Sequence, residues 1–315
     1  MTELFNLWEK PQAEEIYLLA GWHQWADGGS ISSGLPRYLA ELYNARKIGE
    51  ISPDGYYIFQ LPGAQQFLRP LSRQYDGLTE SLHTPANEFY YAEVGGKGLV
   101  FFIGDEPHMD AERYTRAFLG AAKALNVQRI IHFGGVYAMV PYDRARHVHG
   151  LISLPRLREE LDDLAIEPSN YHGPASIGSY VNKRAGDQNM EAFALYAFSP
   201  IYQFGGPEDT NKAIHIDNDY AAWLDVMERV NHMLGTKIDL SDLEDLSNDL
   251  ILKIDDKVVE LNNKYPELRI EDFFRRLRGE FEEKTFNPLD DIWQDSIEHL
   301  GDMFFPTDED DIDAD

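Results

Sequence analysis

The chain contains no cysteine. That absence removes a disulfide framework, a thiolate nucleophile and any cysteine-ligated zinc or iron–sulfur centre. It also lacks an apolar run near the roughly 18 residues that a membrane helix needs. The opening stretch "TELFNLWEKPQAEE" has neither a basic start nor an apolar segment of signal-peptide length. The expectation is a soluble cytoplasmic protein. Basic side chains are scarce as well: 28 Lys and Arg stand against 55 Asp and Glu, a net charge of −27 over 315 residues. The imbalance is local, with −7 on residues 1–207 and −20 on residues 208–315. Such a surface repels phosphate backbones and anionic lipid, so neither nucleic acid nor membrane is expected as a partner. Among motifs, "GxGxxG", "GxxxxGK[ST]" and "GxSxG" are all missing, which leaves dinucleotide, P-loop and nucleophile-elbow chemistry without support, and no cofactor is implied. Nor does the sequence gather an arginine cluster for a bidentate phosphate clamp; Arg144 and Arg146 come nearest.

What is present is an alternating pattern. Apolar runs at 15–22 ("EIYLLAGW"), 88–94, 98–104, 128–136 and 192–198 predict strands. Between them, Ile31, Leu35, Leu39 and Leu42 recur at helical spacing with Ser30 as the expected cap, and Tyr114, Ala117, Phe118, Ala121, Ala122 and Leu125 do so behind Asp110. Strand, helix and strand within 40 residues is a βαβ unit with parallel strands. The reading is an α/β fold: a central, mostly parallel or mixed sheet of about five to eight strands in a three-layer arrangement, over residues 1–215. Residues 216–303 predict an acidic helical extension, with Ser241 and Glu244 as a capping box and Gly235 and Pro266 as stops. Residues 304–315 are too charged and too small to order themselves.

Three clusters fall where strands give way to loops: "GWHQWADGG" (21–29), "GDEPH" (104–108) and "FGGVYAMVPYDRARHVHG" (133–150). In open α/β sheets ligands bind at the carboxyl ends of the strands. Asp27, Glu106, His108 and Tyr137 are therefore candidates for one rim, since carboxylates beside an imidazole are the parts of acid–base catalysis. Trp25, Gly28, Gly29, Gly134, Gly135 and Ser176 are candidates for ligand contact. Quieter roles compete: Asp27 as a helix-start residue, Glu106 as a strand end before proline, and His108 and Ser176 as helix caps. His132 inside an apolar strand reads as a satisfied core histidine. His147 and His149, two apart, would share one face of a strand, but nothing fixes a third ligand and no metal is expected.

Taken in order, these segments resemble the proteasome assembly chaperone 2 family. Its Gly-x-x-x-Trp-x-Asp-Ala-Gly pattern is matched by Gly21, Trp25, Asp27 and Gly29, with Gly28 in place of the alanine. Its Gly-x-Glu-Pro segment is matched by Gly104, Glu106 and Pro107, and "GGVYAMVPYDR" and "YHGPASIGSYV" follow in the family's order. The resemblance covers residues 15–285. It implies a fold similar to nucleoside phosphorylases and peptidyl-tRNA hydrolases, self-association, and a non-catalytic assembly or interaction role with another protein as partner. A small-molecule hydrolase or phosphorylase-like enzyme around Asp27 and Glu106 is the alternative. Archaeal relatives that dock on proteasomes end in a hydrophobic-tyrosine-any tail, whereas this chain ends Asp313-Ala314-Asp315, so docking of that kind is not expected. The expected homo-oligomer is a trimer or dimer built on the less acidic residues 1–207. Aromatic turns such as "PDGYYIFQLPG" (53–63) supply area suited to an interface core.

Overall fold

The apolar runs become the middle of one ten-stranded mixed sheet. The computed structural model describes residues 4–23, 25–60, 69–205, 210–284 and 286. The strands are β1 (Asn6–Leu7), β2 (Ile16–His23), β3 (Arg46–Glu50), β4 (Leu71–Tyr75), β5 (Leu78–His83), β6 (Asn87–Val94), β7 (Lys97–Asp105), β8 (Arg129–Ala138), β9 (Val148–Ile152), β10 (Glu167–Pro168), β11 (Glu191–Gln203) and β12 (Ala213–His215). The helices are α1 (Gly34–Leu42), α2 (Ala111–Ala124), α3 (Arg158–Asp163), α4 (Ile177–Asp187), α5 (Tyr220–Leu234), α6 (Ser241–Lys264) and α7 (Ile270–Glu280).

The sheet runs β1-β3-β6-β7-β2-β8-β11-β9-β10, with β12 beside β11. Its centre, β7-β2-β8-β11, is parallel. Antiparallel pairs extend it through β6, β3 and β1 on one side and through β9 on the other. The expected mixed α/β sheet is therefore present, with ten strands rather than five to eight. The added ones are short outer strands whose sequences carry little periodicity. The turn Gly95-Gly96 between β6 and β7 uses positive φ at both glycines, as a tight hairpin requires. The βαβ unit β7–α2–β8 is parallel, but β2 lies between its two strands.

Strand alternation sorts the core. Ile16, Leu18, Ala20 and Trp22 of β2 and Val100 and Phe102 of β7 pack with Tyr114 and Phe118 of α2 and Ile177 and Val181 of α4. Each fully buried side chain of this size contributes about 1.5–3 kcal/mol. A second core joins Tyr202, Phe204, Ile214 and Ile216 at the far end of β11 and β12 to Ile254, Val258 and Leu261 of α6 and Ile270 and Phe274 of α7. Met1–Lys284 form one compact unit. The last part of the expected helical extension at 287–303, the tail at 304–315 and the end of the aromatic segment at 61–63 lie outside the described residues.

Several caps differ from expectation. Asp110 caps α2 as read, accepting from Arg113 N, and Gly235 closes α5 in the left-handed conformation. Ser30 does not cap α1: it ends a 3₁₀ turn and its hydroxyl donates to Asp217 O. Ser241 is not the acceptor at the start of α6 either, because its amide and hydroxyl both donate to Asp239. At the start of α6 an acidic side chain two residues upstream displaces the serine.

Candidate functional site

The carboxyl ends of β2, β7 and β8 meet the first turns of α1 and α4, and residues 25–33 pass between them. After His23 the chain turns along the end of β8, where Asp27 bridges Gly135 in parallel fashion and Gly135 N donates to Ala26 O. The passage is so close that a Cβ on Gly135 would stand 1.9 Å from Gly28 O. Gly29 has φ +62°, and a side chain there would meet Asp219 and Ser199 at 2.7 Å. Gly134 lies beneath the Tyr196 ring in the same tight fashion. Gly28 and Gly135 are held against neighbouring backbone, and Gly29 and Gly134 against neighbouring side chains.

Both rim carboxylates are tied into the structure. Asp27 Oδ1 accepts from Ser32 N at 3.0 Å and Ser33 N at 2.8 Å, and Oδ2 accepts from the Ser33 hydroxyl at 2.7 Å. Asp27 thus holds the turn at Ser32 and Ser33 that leads into α1, without capping the amides of the helix itself. Burial raises its pKa, opposed by those three bonds. Glu106 Oε1 accepts from Ile177 N at 2.7 Å and Oε2 from Trp25 N at 3.2 Å. Its carboxylate sits on the positive end of α4 and ties that helix to the loop after β2. Burial pushes its pKa up too, against the two amide bonds.

Glu106, Trp22, Ser176, Gly178 and Tyr196 line a cleft of about 10 Å³. That is room for one water molecule. Ser176 caps α4, accepting from Ser179 N, and its hydroxyl lies 2.8 Å from Tyr196 Oη. Ser179 Oγ closes a triangle of hydroxyls with them.

The other candidates lie apart from this cleft. His108 does not cap α2; its Nδ1 accepts from Ile58 N and its ring packs edge-on against Tyr57. Tyr137 donates to Ile216 O and tilts against His215. Trp25 is 66% exposed, and Val136 and Met139 beside Tyr137 are exposed as well. His147 meets Glu282 O while His149 faces Glu167, and no group of three metal-ligating side chains exists among the described residues. Arg146 is no phosphate clamp, because it is fully buried in a two-pronged pair with Asp219 at 3.0 and 3.1 Å. His132 is buried as expected, yet neither ring nitrogen has a partner among the described residues; burial lowers its pKa to about 3. Tyr196 and His23, the latter facing Asp105 at 3.4 Å, are the rim residues the sequence did not single out. A tyrosine in register with Gly134 across two strands is the signal that marks Tyr196.

The glycine-lined loop after β2, the Glu106 tie and the serine-capped α4 occupy three of the four segments on which the family resemblance rests. The model of the PAC2 family matches residues 21–256, and the chain belongs to that family. Among solved structures it is similar to a PAC2 family protein from Streptomyces avermitilis, with 21% identity, a TM-score of 0.65 and coverage of 77% of this chain and 95% of the other. A proteasome-assembly chaperone homologue from Mycobacterium tuberculosis gives 22% identity, a TM-score of 0.65 and coverage of 76% and 94%. PbaB of Pyrococcus furiosus, an archaeal proteasome activator, gives 16%, 0.57, and 80% and 97%. At these identities the likeness shows a shared fold. No curated protein matches the sequence.

Proposed function

We propose that this is a non-catalytic assembly or interaction protein, acting in the cytoplasm as a homo-oligomer, a dimer or trimer, that presents the strand-end rim to protein surfaces. The observation carrying this reading is the state of the rim. Both carboxylates that might act as acid or base are engaged by backbone amides, and the cleft that Glu106 borders is about 10 Å³, against several hundred for a metabolite site. Outside that cleft, Trp25, Val136, Tyr137 and Met139 are exposed, and aromatic residues and methionine are enriched in interface cores. The names of two structural relatives, a proteasome-assembly chaperone homologue and an archaeal proteasome activator, favour a protein as the partner class. The rim also belongs to the first 207 residues, with net charge −7, so copies can meet there while the acidic helices stay outside.

Light scattering at low and high salt tests the assembly. The expected mass is two or three protomers, rising or unchanged with salt because salt screens repulsion between charges more than about 8–10 Å apart. A single protomer at both ionic strengths overturns self-association. Turnover in a hydrolase and phosphorylase substrate panel that disappears in Glu106→Gln would restore the enzymatic alternative.

A further inference from the structure

The rim loop is gripped from a second direction, by the start of α5. Gly29 O accepts two hydrogen bonds, from Asp219 N at 2.9 Å and from the Trp223 indole Nε1 at 3.1 Å, which uses both lone pairs of that carbonyl. Beside it the Ser30 hydroxyl donates to Asp217 O at 2.7 Å. The Trp223 ring is buried and lies so close to the first residue of α1 that a Cβ on Gly34 would stand 2.5 Å from it. The start of α5 is itself fixed, because the buried Asp219 carboxylate holds both the Ala222 amide and the Arg146 guanidinium.

The turn held in this way is one the chain does not adopt freely. Gly29 and Ser30 are consecutive residues at positive φ, +62° and +49°. Glycine enters the left-handed region without penalty, whereas serine does so at a cost. Such a conformation persists only where its surroundings over-determine it. Here the three hydrogen bonds to segment 217–223 supply that determination. At its other end the same loop carries Trp25, whose amide is tied to Glu106 and whose side chain is exposed.

We infer that the first turn of α5 positions the rim loop, with Trp223 as the positioning residue, so that the seating of α5 and engagement of the rim are coupled. The coupling rests on the rim being an interaction surface; the positioning does not. With the indole seated, residues 28–33 keep the left-handed turn. Without its bond the turn relaxes toward ordinary φ and Trp25 shifts with it. Linkage makes the effect reciprocal: a second copy that selects the turned loop strengthens the seat of Trp223, and whatever unseats α5 weakens the rim. Acidic helices that stay outside the interface thereby still govern it.

Trp223→Phe removes the Nε1 donor while keeping an aromatic ring in the buried seat. Amide exchange, fluorine NMR of fluorotryptophan-labelled protein and light scattering, all on the full chain, test the inference together. In the variant, exchange over residues 28–33 should be about tenfold faster, roughly the worth of one hydrogen bond, while β2, β7 and β8 keep wild-type protection. The Trp25 resonance, assigned with Trp25→Phe, should shift, and the association constant should fall about fivefold. Unchanged exchange at 28–33 with an unmoved Trp25 resonance overturns the inference, as does a loss of protection spread evenly over the sheet. Faster local exchange and a shifted Trp25 signal with an unchanged association constant would uphold the positioning and overturn the rim as the interface between copies. Should Trp223→Phe not fold, Ser30→Ala removes the bond to Asp217 O and should speed exchange at 28–33 about threefold; wild-type exchange there overturns the inference equally.

Discussion

Acid should destabilise this protein in part through a single buried imidazole. The native His132 pKa is lowered from 6.5 to about 3 by burial alone. The unfolded chain therefore takes up a proton near pH 6.5 that the folded chain refuses until about pH 3. Because the folded pKa is depressed and the neutral form is the one buried, the contribution is fully present above pH 6.5 and is lost as pH falls toward 3. At 1.36 kcal/mol per unit, about 2.5 kcal/mol should be gone by pH 4.5 and about 4 kcal/mol by pH 3, where the folded imidazole is itself half protonated. The 55 acidic side chains titrate over the same range, so the wild type alone does not isolate the effect. Urea unfolding of wild type and His132→Leu, each at pH 7 and pH 4.5, does: the wild type should lose about 2.5 kcal/mol more than the variant. Equal losses in both would refute the reasoning, since a solvated or well-paired imidazole produces no such difference.

Two further changes probe the ties around the rim. Arg146→Ala should cost about 3–5 kcal/mol, because Asp219, 0% exposed in its side chain, would keep a buried charge without its partner; a thermal midpoint within a degree of wild type would contradict this. Glu106→Gln keeps one carbonyl acceptor but cannot serve both Ile177 N and Trp25 N, so a loss of about 1 kcal/mol is expected, with faster amide exchange at the start of α4; unchanged exchange there would show that the tie is unimportant.

What the sequence made legible was whatever is local. The parallel strands announce themselves as continuous apolar runs because both faces are buried, and α2 shows its cap and its stripe within 15 residues. Strands as short as β1 and β10, two residues each, have no room for a period. At the site, Glu106 was placed correctly at a strand end, but its partners lie 81 and 71 residues away, and only the folded chain brings them together. The same distance hides the Arg146–Asp219 pair, 73 residues apart, which turned an apparent phosphate clamp into a buried lock. Asp27 was readable as part of a turn into a helix because its partners Ser32 and Ser33 follow within six residues. His132 was readable as buried but not as unpartnered, since that depends on what the folded chain sets around it.

The proposal that the rim faces protein rather than substrate is tested most directly by oxidative footprinting of Trp25 and Met139, 66% and 64% exposed on the single chain, across a dilution series monitored by light scattering. Both side chains should lose reactivity as the mass rises to that of the oligomer and regain it on dilution. Reactivity that stays constant for both residues while the mass rises would place the interface elsewhere and contradict the account.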